Sequence, residues 1–217
     1  MQEIKETYLN SKNGLSLVEL LMAMAASLII LAAVYSVFTM TSKNFTTQNV
    51  AASIQQNLRS AIGLMARDIR VAGLDPAGSG SFGFKEASRT KIHFTIDSVD
   101  SGSGDFNGTV DETNFEQITY EFQAGPVPGC TQCGQIMQTL YEDTGSQNAA
   151  SLISNIIVAF SYFDAANNDL GDPVPDDQLE DIRTVEILMT IWEPAGRDEP
   201  VERTLTRRVE CRNMAFN

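Results

Sequence analysis

The stretch DFNGTVDE sets Asp105, Asn107, Asp111 and Glu112 around Gly108. Hard oxygen ligands gathered at a glycine turn can hold calcium. The spacing is not that of an EF-hand loop, however, and Asx–Gly clusters also make ordinary turns. DAANNDLGD, with Asp164, Asn168 and Asp169, is a second oxygen-rich loop, read first as a hairpin turn. Cys130 and Cys133 form a CxxC in GCTQCG, and Cys211 follows in VECRN. Zinc wants four ligands. Beyond the three thiols only the single histidine, His93, remains, and it alternates onto the polar face of its expected strand. A thioredoxin-like role needs a βαβ context that the sequence lacks. An extracytoplasmic disulfide is the better reading. Cys130–Cys133 would close a small loop, Cys211 could pair with either, and one thiol is left over in each case. No nucleophile–base pair stands out, no glycine-rich phosphate loop is present, and the abundant carboxylates read as solubilising loop charge. The chain is therefore not expected to be an enzyme. One more carboxylate stands out by its place: Glu19 lies five residues past Gly14, at the front of an apolar run.

That run must be carried by a helix. No charged residue occurs from Leu20 to Ser42, and neither Gly nor Pro interrupts it. About 23 residues make roughly 35 Å of helix, enough to cross a hydrocarbon core. After Lys43 the helix pattern continues: Val50, Ile54, Leu58, Ile62, Met65, Ile69 and Ala72 fall at spacings of three and four, one apolar face. Gly73 and then Asp75–Pro76 supply a stop. A single helix is expected from about Leu15 to Ala72, roughly 85 Å long. A linker, GLDPAGSGSFG, follows, and the period then becomes two. KIHFTI, FEQITYEF, QIMQTLYE, NIIVAFSYF, RTVEILMTIW and RTLTRRVECR read as strands, with loops at 97–114, 124–134, 143–151 and 164–181. Strands in succession with turn-like connections predict an antiparallel sheet. The expected fold class is α+β, a long N-terminal helix packed on an antiparallel β head.

The charge distribution agrees with two parts. The 217 residues carry 15 Lys plus Arg and 28 Asp plus Glu, a net charge of −13. Residues 1–73 hold six basic and four acidic side chains, whereas residues 74–217 hold nine and 24. The acidic second part would repel a phosphate backbone, so direct nucleic-acid binding is not expected.

Three readings of the N-terminal stretch KNGLSLVELLMAMAASLIILAAVYSVF compete. A secretory signal peptide would have an apolar stretch of about 7–15 residues followed by a small-residue cleavage site. Here AMA at Ala23–Ala25 lies inside the run, and Glu3 and Glu6 balance Lys5 and Lys12. A plain uncut anchor would leave Glu19 at the membrane edge without a role. The third reading accounts for the glycine, the glutamate and the long helix together. NG followed by LSLVELL resembles the class III signal of type IV prepilins, which a membrane aspartyl peptidase cuts after the glycine. The resemblance implies cleavage between Gly14 and Leu15, N-methylation of Leu15, and a register role for Glu19, the fifth residue of the mature chain. The family usually has Phe or Met where Leu15 stands, and more basic residues before the glycine. An isolated carboxylate in an apolar filament core or bilayer costs on the order of 2.5–3.5 kcal/mol. The free amine of Leu15 on a neighbouring subunit would offset that.

Further along, NLRSAIGLMARDIRVAGLDP, residues 57–76, resembles the minor pilin PilW family and its type II secretion counterpart, the J pseudopilin. Taken one by one, Arg67, Asp68 and Arg70 read as a solvated helix face. ITYEF, NIIVAFSYFDAANNDL and DIRTVEILMTIW are similar to later strands of PilW-like heads, so the resemblance is strong over 14–76 and looser beyond. It implies a leader at 1–14, a transmembrane and filament-core half-helix at 15–43, an amphipathic half at 44–73 and an acidic β-rich head at 74–217. It also implies a low-abundance subunit that primes pilus assembly at the tip. Such a subunit sits in the inner membrane with its head in the periplasm, then on the cell surface. Its partners would be other minor and major pilins, the prepilin peptidase and methylase, and the inner-membrane assembly platform. Readings of another class are a membrane-anchored adhesin or calcium-dependent binding module, and an anchored hydrolase, for which no catalytic constellation is found.

Overall fold

The computed structural model describes residues 16–99, 106–110, 115–127, 129–143, 146–195 and 200–215. The leader cleavage positions Gly14 and Leu15 lie outside them, as do Asp105, Asp111 and Glu112. The chain divides into two compact units, Met1–Thr46 and Thr47–Asn217, and one helix, α1 (Leu17–Arg70), contributes to both.

In the first unit every large apolar side chain of α1 is turned outward. Leu17 is 74 % exposed, Ile29 73 % and Phe45 65 %. The helix is long and apolar enough to cross a membrane. In the second unit α1 becomes amphipathic: Ile54, Leu58, Ala61, Ile62, Met65, Ala66 and Ile69 are buried. These are the three- and four-residue spacings of the sequence. Acidic Glu19 in the first turn and basic Arg67 and Arg70 in the last complement the helix dipole.

The helix stops two residues short of Ala72. The Val71 and Ala72 N–H groups reach back only three residues, to the Asp68 and Ile69 carbonyls. Gly73 then takes φ +73° and donates its N–H to the Thr95 carbonyl. A left-handed residue at this point is the usual way for glycine to end a helix.

Among the described residues seven antiparallel strands follow: β1 (Phe84–Ala87), β2 (Lys91–Thr95), β3 (Gln117–Ala124), β4 (Gly134–Asp143), β5 (Ser146–Phe163), β6 (Thr184–Glu193) and β7 (Val201–Glu210). They form a single sheet in which every strand neighbours the next in sequence. Period-two alternation sends one row of side chains from each strand toward α1. Ile156, Val158, Phe160 and Tyr162 of β5 stand opposite Ile191, Met189, Ile187 and Val185 of β6, and all are buried. Ile92 and Phe94 of β2 stand opposite Tyr120 and Ile118 of β3. Together with the buried face of α1 these residues make one core.

The sheet departs from the sequence expectation in two places. β1, only four residues long, was not expected. The stretch 143–151, expected to be a loop, is mostly strand. Ser151, Ala150 and Ala149 pair with Met137, Gln138 and Thr139. Small residues of weak strand preference are held there by a neighbour, an instance of context overriding propensity. β5 thus changes partners along its length. Residues up to Ile156 pair with β4, and residues from Ile156 onward pair with β6. Asn155, at φ +57°, marks the change.

Candidate functional site

Between Ser16 and Ser42 the only charged residue is Glu19. Two hydroxyls of this segment are satisfied by the helix itself. Ser27 Oγ donates to the Ala23 carbonyl at 2.7 Å and Thr39 Oγ1 to the Ser36 carbonyl at 2.9 Å. Such back-bonding removes the polar cost of a hydroxyl in an apolar setting. Glu19 is exposed in the first turn of α1, with no hydrogen-bond or ion-pair partner among the described residues. The segment is thus an apolar rod with one unmet electrostatic requirement, close to its start. A cationic group from beyond the described residues would meet it.

A second polar feature fixes α1 to the sheet within the head. Asp68 points at the sheet, where its Oδ2 accepts the Tyr120 hydroxyl at 2.7 Å and the Gln138 amide at 3.3 Å. The Gln138 amide also donates to the Tyr120 oxygen at 2.9 Å. Tyr120 and Gln138 are direct cross-strand neighbours, which makes the triangle possible. Arg67 pairs with the other carboxylate oxygen at 3.1 Å. Burial first, and then the Asp68 charge, push the Tyr120 hydroxyl well above the ordinary tyrosine value, so it remains a proton donor. The solvated-face reading therefore fails for Asp68, whose side chain is only 12 % exposed, and holds for Arg67 at 75 %. Nothing local in the sequence distinguishes the two; the partner lies 52 residues away.

The oxygen-rich loops behave as turns where they are described. Asn107 Oδ1 accepts the Thr109 N–H at 2.8 Å and the Thr109 hydroxyl at 2.9 Å. At the base of this loop two carboxylates that the sequence did not single out are fully buried, Asp97 and Glu116. Glu116 accepts the Ser98 N–H at 3.2 Å, and the Asp97 N–H bonds the Leu74 carbonyl at 2.7 Å. Their places at the two ends of an acidic loop were the available signal. In the second loop Asp164 is occupied by Asn168, whose N–H and side-chain amide it accepts at 2.7 and 2.8 Å. Those bonds lower the Asp164 pKa. Asp169 Oδ1 accepts the Gly171 N–H. Among the described residues no group of three or more His, Cys, Asp or Glu side chains is placed to hold a metal ion.

Cys130 and Cys133 are joined in a disulfide that closes the β3–β4 connection, and Cys211 is a buried free thiol. Burial pushes the Cys211 pKa up to about 12. The disulfide loop packs closely against β6: a Cβ on Gly129 would come within 2.7 Å of the Trp192 ring. His93 is half-buried in β2 rather than on an open polar face. Burial, then the nearby Lys91 charge, lower its pKa, with Glu86 opposing.

No curated protein matches the chain significantly. Residues 9–35 match the prokaryotic N-terminal methylation motif. That stretch contains Gly14, Leu15 and Glu19 and runs into the exposed apolar rod. The motif and the rod together fit anchoring in a membrane before assembly. They support a structural protein of the pilin or pseudopilin type, matured by a prepilin peptidase and associating with other pilins.

Proposed function

We propose that the chain is a minor pilin of the PilW type, which joins other minor pilins at the tip of a type IV pilus and helps prime its assembly. The observation that carries this reading is Glu19, the lone charge of an apolar rod, five residues past Gly14 within the matched motif. Cleavage after Gly14 would create the amine that Glu19 lacks. Paired with the methylated N-terminus of Leu15 on a neighbouring subunit, the carboxylate avoids an uncompensated burial worth about 3 kcal/mol. It would also set the axial register of that neighbour. The ARDIRVAG string at the end of α1, resembling PilW-like chains, supports the minor-pilin assignment over a major pilin. The peptidase and methylase would act on residues 14 and 15, the membrane would hold the rod before assembly, and the inner-membrane platform would extract it.

The test is the N-terminus and intact mass of the protein from its own cell membranes. A chain starting at methylated Leu15 is the expected result. A chain starting near Ala26, or an uncut chain, would overturn the reading. The same features suit a J-type pseudopilin of type II secretion. Deleting the gene separates the two: loss of pili with normal protein export favours the pilus, the reverse favours secretion.

A further inference from the structure

Among the described residues β7 is an edge of the sheet. The Cys211 N–H donates to the Arg183 carbonyl at 2.9 Å, one step beyond the Thr184–Glu210 pair. Backbone groups alternate in direction along an antiparallel strand, so the odd-numbered residues of β7 bond β6. The N–H and C=O groups of Glu202, Thr204, Thr206, Arg208 and Glu210 therefore face outward. Among the described residues none of them makes a backbone hydrogen bond outside the sheet, and only the Glu202 carbonyl is engaged by a side chain, accepting Arg203 Nη1 at 2.8 Å. The same alternation puts Val201, Arg203, Leu205, Arg207 and Val209 in the row that faces α1. The two valines are buried there, and the two arginines are exposed.

Arg59 of α1 lines a groove of about 160 Å³ with Leu58, Arg203 and Leu205. Arg70 lies about three turns further along the same flank of the helix and is also exposed. Among the described residues no carboxylate lies within ion-pairing distance of Arg59, Arg70, Arg203 or Arg207. Arg208, on the opposite face of β7, is by contrast paired with Glu186 at 2.7 Å and lies over the Phe163 ring. In a chain of net charge −13, four guanidiniums along one edge, with no carboxylate partner among the described residues, run against the overall charge.

Charges on the inward row of an edge strand ordinarily guard it against indiscriminate pairing. An apolar strand laid on β7 would desolvate them without return. A strand bearing carboxylates would neutralise them and bond the outward backbone groups as well. We propose that the β7 edge, flanked by Arg59, Arg70, Arg203 and Arg207, docks an acidic extended segment of a partner protein by strand addition. The outward backbone row favours a polypeptide over a lipid headgroup, and the acidic head repels long phosphate polymers. The inference rests on the head alone and does not depend on how the N-terminus is processed.

The test uses the full chain in detergent with labelled peptides of about ten residues, the span of one strand. One peptide alternates Glu with Val, one alternates Lys with Val, and a third is the acidic peptide with alternate backbone nitrogens methylated. Expected are binding of the acidic peptide that weakens with salt, and no binding of the basic one. The methylated peptide, which cannot complete a ladder, should bind about tenfold or more weakly, as should the parent peptide to the Arg203→Glu/Arg207→Glu variant. Equal binding of parent and methylated peptides would overturn strand addition and leave a plain electrostatic patch. Equal binding of phosphatidylglycerol vesicles or an oligonucleotide would overturn the choice of partner. No binding of the acidic peptide would mean that the arginines only guard the edge.

Discussion

Tyr120→Phe removes one oxygen and leaves the ring in place, so it isolates the tie between helix and sheet. The lost bond is short, 2.7 Å, and its acceptor is a carboxylate. Hydrogen bonds to charged groups contribute about 1.5–3 kcal/mol. Gln138 already reaches Asp68 at 3.3 Å and can tighten onto it, and Arg67 still holds the other oxygen. The lower half of that range is therefore expected, a destabilisation of about 1.5–2 kcal/mol. Asp68→Ala costs more, because it leaves the Tyr120 hydroxyl, on a fully buried residue, with Gln138 alone. The assay is urea unfolding of the full chain in detergent, followed by fluorescence of its one tryptophan, Trp192, which sits in β6 and reports on the head. A double-mutant cycle of the two substitutions should give a coupling of about 1 kcal/mol or more. Additive effects would refute the reasoning and return Asp68 to the solvated helix face.

Three other outcomes are expected. Glu19→Ala should leave the head folded and membrane insertion intact while reducing incorporation into filaments; normal piliation in a strain carrying it would sink the register argument. His93 is the only histidine, so its titration can be followed as a single imidazole signal by NMR. Its folded-state pKa is lowered, so the stability it contributes is full above the ordinary value of about 6.5 and declines as pH falls below it. A midpoint above that value would contradict the burial. Calcium held by Asp105, Asn107, Asp111 and Glu112 would make the urea midpoint sensitive to EGTA. With Asn107 already spent in bonds to Thr109, no shift is expected, and a clear loss of stability would establish the metal.

The two periodicities carried most of the fold into view. Ile54, Leu58, Ile62, Met65 and Ile69 are spaced as one helix face and are buried as one. The alternation in NIIVAFSYF and RTVEILMTIW is the alternation of the paired core rows in β5 and β6. β1 escaped because four residues are too few for a period to register. The start of β5 escaped because its residues take their strand conformation from β4 and not from their own preference. The polar features divide in the same manner. Glu19 is visible because it interrupts a uniform background. Asp68, Asp97, Glu116 and the arginines of β7 are chemically ordinary in the sequence. Asp97 and Glu116 had only their places at the ends of a loop to mark them; the others take their role from neighbours across the sheet, to which a linear reading has no access.

The nearest-neighbour order of the sheet bears on how the head is made. Every strand pairs with the one before it, so no strand must wait for a distant partner. A chain emerging from a ribosome or a membrane pore can lay down each hairpin as it appears. Such local pairing incurs little loop-closure entropy and folds quickly for a β-rich protein. The exception is the helix, which precedes all seven strands yet needs them to cover its apolar face. Until β2 to β6 are in place, Ile54 to Ile69 have nothing to pack against. The last tie is made late: Asn213, after β7, donates to the Val71 carbonyl across a separation of 142 residues. A nascent head is thus sticky along α1 for most of its synthesis. The stage at which it is most exposed to aggregation, or most in need of a chaperone, comes before the sheet has grown wide enough to shield that face.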